Sequence, residues 1–117
     1  MFLKLSEIFK YLDAKPDSRC IVEGEEVLHA NHLILCGKKS SATQSIKIAG
    51  LCLQTSALQG QPHQIEGTFS IDNDVKIVEM KCSCKAGLSG TCKHISALLL
   101  NCSRLYLLHN LRGPIMP

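Results

Sequence analysis

Three cysteines and one histidine lie within thirteen residues, as two pairs whose members are separated by a single residue. They are Cys82, Cys84, Cys92 and His94. Seven cysteines in 117 residues would suggest disulfides in a secreted protein. The count is odd, however, and Glu7 interrupts the apolar run that a secretory signal would need. We therefore expect an intracellular chain, nuclear or cytoplasmic, in which these four residues are metal ligands.

The spacing within the two pairs indicates how they would share one ion. In a strand, residues i and i+2 point the same way, about 6.5–7 Å apart, whereas each thiolate lies about 2.3 Å from a tetrahedral Zn²⁺. The chain must therefore curl at Ser83, which fits a strand that ends near Cys84. In a helix, residues i and i+2 diverge. Cys92 and His94 must then straddle a helix start, where Thr91 is a suitable N-cap.

Charge and ligand number favour a structural zinc site. Three thiolates and Zn²⁺ leave one net negative charge, which the N–H groups of the following helix and flanking lysines stabilise. Four protein ligands leave no open position for water, and the mixed ligands favour zinc over an iron–sulfur cluster. Two alternatives stay open at this point. One is three buried cysteines with an incidental histidine, and the other is a redox role for Cys82 and Cys84.

The remaining cysteines and histidines are predicted to serve the fold rather than a second metal site. A second site would need Cys20, His29, His32 and Cys36. These residues are predicted at helix and strand ends, and the sequence does not place them on one common face. Cys52 and Cys102 occupy apolar positions and are predicted core thiols. Cys102 falls about two helical turns beyond His94, which is too far to join the metal.

The first third of the chain predicts two helices and a short strand. Apolar residues at helical spacing predict a helix over residues 4–13. A second helix is predicted over 21–30, weakened by Gly24. Asn31 is suited to a left-handed helix stop, and an apolar strand follows over 32–36.

A three-stranded antiparallel meander is predicted next, after a polar loop over 37–45. Its strands cover residues 46–54, 63–71 and 75–82. Gly50 is expected to mark a bulge or a twist. The last two strands alternate apolar and polar residues and form a hairpin. Asp72, Asn73 and Asp74 make its tight turn, in which asparagine tolerates a positive φ.

A leucine-rich helix is predicted from residue 92 to 110, ended by Gly113 and Pro114. It is apolar nearly all round. One interpretation is burial against the sheet and the N-terminal helices. The other is an exposed stripe that docks a protein partner or a missing downstream domain. Its leucines are Leu98, Leu99, Leu100, Leu105, Leu107, Leu108 and Leu111.

Composition fits one α+β domain, with 45% hydrophobic and 20% charged residues and no run that would span a membrane. Residues 80–117 carry only basic charges. Candidate nucleic-acid contacts are Lys81, Lys85, Lys93 and Arg104, although the lysines are equally suited to balance the metal site. No aromatic residue lies between 70 and 105 to stack on bases. Paired acidic clusters, nucleophile motifs and phosphate loops are absent, so we do not expect an enzyme.

The predicted metal site consists of a Cys-x-Cys pair, a short spacer and a Cys-x-His pair, and it lies between a hairpin and a helix. This arrangement resembles the SWIM-type zinc finger. Residues 81–100 (KCSCKAGLSGTCKHISALLL) are similar to members in which Cys-x-Cys-x-Ala-Gly leads into Cys-x-His-x-x-Ala-Leu-Leu. All four ligand positions match. The finger with its supporting elements would cover 63–105, after N-terminal helices and first strands over 1–62 and before a tail over 106–117.

The resemblance implies a ββα zinc fold that contacts nucleic acid or protein, as in transposase-related, recombination-associated and chromatin-associated proteins. Similar modules often precede a phage-type recombinase or exonuclease domain. The chain ends at Pro117, before such a domain would fit, so no nuclease activity is carried over. We expect a structural zinc module that presents a DNA or protein interaction surface. The alternative is a protein-docking module, or a fragment of a larger recombinase-type or nuclease-type protein, without catalysis of its own.

Overall fold

A four-stranded antiparallel sheet and three helices make up the fold, which confirms the α+β class. The computed structural model describes residues 3–53, 60–84 and 91–104. The elements, in chain order, are α1 (Leu5–Leu12), α2 (Arg19–His29), β1 (Leu33–Ala42), β2 (Ser45–Cys52), β3 (His63–Ile71), β4 (Val75–Cys82) and α3 (Lys93–Arg104). The strands lie side by side in the order in which they occur along the chain.

Both N-terminal helices form where the apolar spacing predicts them. α1 buries Ile8 and Leu12 and ends at Asp13, which has a φ of 51°. Asn31, with a φ of 58°, confirms the left-handed residue expected after α2. Gly24 of α2 faces α3, and an added Cβ there would lie 2.9 Å from the Cβ of Ser96. This glycine therefore permits a close helix–helix approach.

The predicted loop over 37–45 is wrong, because β1 continues through most of it. Lys38 lies opposite Ile48, and Ala42 lies opposite Ser45 across the β1–β2 turn. The residues at this end of β1 are exposed, so their polarity reflects solvent exposure rather than a loop. The meander consequently has four strands instead of three.

The bulge predicted at Gly50 is also wrong. The β1–β2 pairing does contain register shifts, but they fall on β1, between Leu33 and Leu35 and between Lys38 and Ser40. A Cβ at Gly50 would lie 2.7 Å from Leu98 Cδ1 and 2.8 Å from the carbonyl oxygen of Leu35. The glycine is needed because α3 and β1 approach the backbone here.

The β3–β4 hairpin agrees with its predicted alternation. Ile65 and Phe69 are buried on one face, while Gln64 and Glu66 are exposed on the other. Its turn forms at residues 72–74, but Asn73 does not need the positive φ that we expected there.

Helix α1 covers the outer edge of β4 with two side-chain acceptors. The backbone N–H of Ile77 donates to Glu7 Oε2 at 3.1 Å, and that of Met80 donates to the Tyr11 hydroxyl at 3.1 Å. These bonds satisfy edge-strand N–H groups that would otherwise be open to a further strand.

Helix α3 packs its leucines into the core against the sheet and α2. Leu98, Leu99 and Leu100 are all buried, which confirms burial for this part of the helix. Residues 105–110 and the predicted stop at Gly113 and Pro114 lie outside the described residues. Among the described residues, no helix has the length and apolarity needed to cross a membrane.

Candidate metal centre

The four residues singled out by their spacing come together between the end of β4 and the start of α3. The ligand atoms of Cys82, Cys84, Cys92 and His94 all lie within 4.8 Å of one another. His94 Nδ1 is 3.8 Å from Cys82 Sγ and 3.8 Å from Cys92 Sγ. Nδ1 is therefore the ring nitrogen that faces these sulfurs.

These separations suit one tetrahedral zinc ion. Zinc–sulfur bonds of about 2.3 Å and zinc–nitrogen bonds of about 2.0–2.1 Å give tetrahedral edges of roughly 3.5–3.8 Å. The sulfur–nitrogen edge of such a tetrahedron is about 3.5–3.6 Å, so the two observed distances of 3.8 Å exceed it by only about 0.2–0.3 Å. Three sulfurs and one imidazole are also a donor set that structural zinc sites use. The residues present therefore fit the ion.

The strand side of the site is shaped by a curl immediately after β4. Cys82 is the last residue of the strand and pairs with Ile65. Ser83 then donates its N–H to the Gln64 carbonyl at 3.0 Å and accepts the Gln64 N–H on its Oγ at 2.9 Å. The backbone N–H of Cys84 turns back to donate to the Cys82 sulfur. The curl expected at Ser83 is confirmed.

The helix side of the site uses Cys92 as its N-cap, one residue later than the predicted cap at Thr91. α3 begins at Lys93, and the carbonyl of Cys92 accepts the Ser96 N–H at 3.0 Å. The Ile95 N–H donates to the Cys92 sulfur. A side-chain acceptor for the third helical N–H is what an N-cap supplies. The cysteine thus takes the place that threonine was expected to fill.

A hydrogen bond between two buried thiols of the site gives them different pKa values. The Cys82 thiol donates to the Cys92 sulfur and, against the effect of burial, lowers the pKa of Cys92 to about 4. The same bond, together with burial, raises the pKa of Cys82 well above its ordinary value. Cys92 is accordingly the more acidic of these two thiols.

His63 lies beside the site and was missed by the sequence analysis. Its ring centroid is 4.5 Å from that of His94, with the planes tilted by 47°. Burial, followed by the charge of His94, lowers the pKa of His63. The β3–β4 register supplies a signal for it, since Ile65 lies opposite Cys82. His63 lies two residues before Ile65, and Cys84 lies two residues after Cys82. The same antiparallel register, continued past the end of β4, would place His63 level with Cys84.

In the described part of the chain, the other cysteines and histidines form no comparable cluster. Within residues 3–53, 60–84 and 91–104, no other group of three or more metal-binding side chains converges. Cys52 and Cys102 are both 0% exposed, which confirms them as core thiols. Burial raises the pKa of Cys52 to about 11. One unexpected contact places Cys36 Sγ 3.9 Å from Cys102 Sγ.

The four basic candidates occupy different environments. Lys81 is exposed on β4, and Lys93 is the first residue of α3. Arg104 forms an ion pair with Glu25 of α2. Lys85 lies outside the described residues.

Comparison with known proteins identifies this part of the chain. Residues 70–103 match the family model of the SWIM zinc finger, and all four clustered side chains fall within the match. No curated protein matches the chain, and no solved structure matches it. The matched segment and the Cys/His cluster agree on one cofactor, Zn²⁺. Residues 70–103 are therefore a SWIM zinc finger, a zinc-binding module.

Proposed function

We propose that zinc in this protein is structural and joins the end of β4 to the start of α3. Cys82 and Cys84 would supply two ligands from the strand side, and Cys92 and His94 two from the helix side. The observation that carries the proposal is the convergence of these four side chains, whose ligand atoms lie within 4.8 Å of one another.

The backbone donors around the sulfurs support a structural role. The Cys84 N–H donates to Cys82, and the Ile95 N–H donates to Cys92. Hydrogen bonds to thiolate ligands disperse the negative charge that three sulfurs bring to one divalent ion. Four protein ligands fill a tetrahedral shell, so no coordination position remains for a substrate or a reactive water. We therefore propose no catalytic step at this site.

Cobalt substitution tests the ligand set. Co²⁺ in a tetrahedral site with thiolate ligands absorbs strongly in the visible, and the full-length protein should show this spectrum with one equivalent of cobalt. His94→Ala should weaken the absorption and the affinity. His29→Ala is a matched control, since His29 is exposed at the end of α2. Equal spectra for all three proteins would contradict the proposed ligands.

We further propose that the exposed face of the sheet, to which the finger contributes β4, presents a nucleic-acid contact surface. Lys81 lies there with Lys39 and Lys47 along one groove of about 390 Å³. Glu66 and Glu79 also line it, and Lys39 pairs with Glu66 at 2.9 Å. The side chains that line the groove therefore carry one positive charge in excess, which favours an anionic partner such as a phosphate backbone.

The salt dependence of binding tests this surface. If phosphates are contacted, affinity for a DNA duplex or single strand should fall steeply with salt. Lys47→Ala and Lys81→Ala should each weaken binding and make the salt slope shallower by about one unit. Lys15→Ala removes the same charge at an exposed position on the α1–α2 connection and should change neither. Equal losses in all three variants, or no salt dependence, would contradict the proposal.

Protein docking through the leucine-rich helix is less well supported. Leu98, Leu99 and Leu100 are buried in the chain's own core. The docking proposal now depends on leucines 105, 107, 108 and 111, which lie outside the described residues.

A further inference from the structure

Two cysteines outside the metal cluster meet between β1 and α3. Cys36 Sγ and Cys102 Sγ are 3.9 Å apart, although the residues are 66 positions apart in the chain. A disulfide bond is about 2.05 Å long. The sulfurs therefore have to approach by roughly 2 Å to bond.

The two thiols differ in access to solvent. Cys102 is 0% exposed, whereas Cys36 is only half-buried. A small oxidant can therefore reach Cys36 first, and Cys102 is positioned behind it.

The hydrogen bond between the thiols gives the same order of reactivity. The hydrogen bond with Cys102 lowers the pKa of Cys36 against the effect of burial. The bond and burial together raise the pKa of Cys102. Since the thiolate is the reactive form, Cys36 is the better nucleophile of the pair.

Metal binding does not explain this pair. The two cysteines belong to no convergent group of three or more ligands in the described parts of the chain. Two sulfurs are too few for a closed zinc site. The contact is therefore better explained by a reaction between the two thiols, such as formation of a disulfide.

We propose that Cys36 and Cys102 form a reversible disulfide that links β1 to α3 when the oxidant is hydrogen peroxide. The Cys36 thiolate attacks one peroxide oxygen, the O–O bond breaks, and hydroxide leaves, so Cys36 becomes a sulfenic acid. Cys102 gives its proton to that hydroxide, forming water, and its sulfur attacks the Cys36 sulfur. The S–O bond breaks, and the departing hydroxide takes a proton from solvent. Two electrons pass from the sulfurs to peroxide, and a dithiol reductant reverses the bond.

The link would fasten α3 to β1 independently of the metal. Cys102 lies on the helix that carries His94, eight residues further along. The disulfide would join two elements of the sheet–helix core at a point remote from the proposed ligands. We expect oxidised protein to keep α3 docked when zinc is removed by a chelator.

Mass spectrometry of the zinc-loaded full chain tests the proposal. After treatment with about one equivalent of hydrogen peroxide, the chain should lose two hydrogens, and digestion should yield a peptide pair joined through Cys36 and Cys102. Cys36→Ser should abolish the pair, with circular dichroism confirming that the variant is folded. Cys20→Ser changes another half-buried cysteine and should leave the yield unchanged. Zinc content should stay constant throughout.

Two results would overturn the proposal. One is oxidation of the zinc-site cysteines with metal release while Cys36 and Cys102 remain reduced. The other is conversion of Cys36 to a sulfinic acid, with no link to Cys102, in both the wild type and Cys20→Ser. Cys102→Ala gives an independent check, since oxidised Cys36 should then persist as a sulfenic acid that dimedone traps.

Discussion

Cys92 performs two tasks that a sequence pattern would assign to different residues. It ends the spacer between the two ligand pairs, and its sulfur accepts the Ile95 N–H as the N-cap of α3. A thiolate at this position is stabilised by the positive end of the helix. The helix therefore begins at a proposed zinc ligand, and Thr91 precedes it.

The proposed ligand residues are recognisable from the sequence because the chemistry of a metal site restricts residue type and spacing. Few other roles require three cysteines and a histidine at these intervals. The spacing alone is therefore enough to identify the cluster in the sequence. The contact between Cys36 and Cys102 has no such signal, since it joins residues 66 positions apart and depends on how β1 packs on α3. Long-range contacts of this kind follow from the tertiary fold and not from local pattern.

Gly24→Ala should destabilise the protein even though alanine favours helix. Alanine gains up to about 1 kcal/mol in helix propensity, but its Cβ would lie 2.9 Å from Ser96 Cβ and 3.1 Å from the Ala97 nitrogen. Overpacking typically costs about 1–3 kcal/mol, and the contact with backbone gives little room for relaxation. We expect a net loss of roughly 1 kcal/mol in the free energy of unfolding, measured by urea denaturation.

Val22→Ala in the same helix is the control, because Val22 is exposed and should change stability by less than about 0.5 kcal/mol. A more stable Gly24→Ala protein would show that α2 and α3 do not approach as closely as described.

Among the secondary structure elements, β1 shows most clearly where local sequence misleads. Its second half is rich in lysine, serine and glycine, which is typical of loops. Pairing with β2 makes it a strand, and only the pairing partner, Ser45–Cys52, reveals this. By contrast, β3 and β4 were found because each has a buried and an exposed face, and burial produces the alternation.

The edge contacts of α1 give a second prediction. Tyr11→Phe removes the hydroxyl that accepts the Met80 N–H at 3.1 Å, and this N–H then lacks its partner. We expect a loss of about 1 kcal/mol in stability and faster hydrogen exchange of the Met80 amide. The amides of the central strands β2 and β3 should keep their protection relative to global unfolding. Unchanged exchange at Met80 would contradict the capping role of α1.

Across the described fold, the core and the metal site share helix α3. Leu98 and Leu99 of α3 are 0% exposed, as is Phe69 of β3, so the helix is held to the sheet by apolar burial as well as by its proposed ligands. We therefore expect the core to retain part of its structure without metal, unlike small fingers that unfold completely.

Chelation should nevertheless lower the melting temperature. Free zinc at about 1,000 times its dissociation constant stabilises a folded protein by about 4 kcal/mol. Removal of the ion lowers the free energy of unfolding by the same amount. Calorimetry with and without EDTA measures the difference, and the difference should be smaller for His94→Ala, which binds the ion more weakly. A wild-type melting temperature that EDTA leaves unchanged would contradict a structural role for zinc.

The number of zinc ions bound per folded chain is the decisive measurement. Native mass spectrometry of the purified wild-type protein, with metal analysis of the same sample, should find one zinc ion in each chain. A well-folded wild-type protein that contains no zinc, and that takes up none when zinc is supplied, would contradict the proposal that this ion joins β4 to α3.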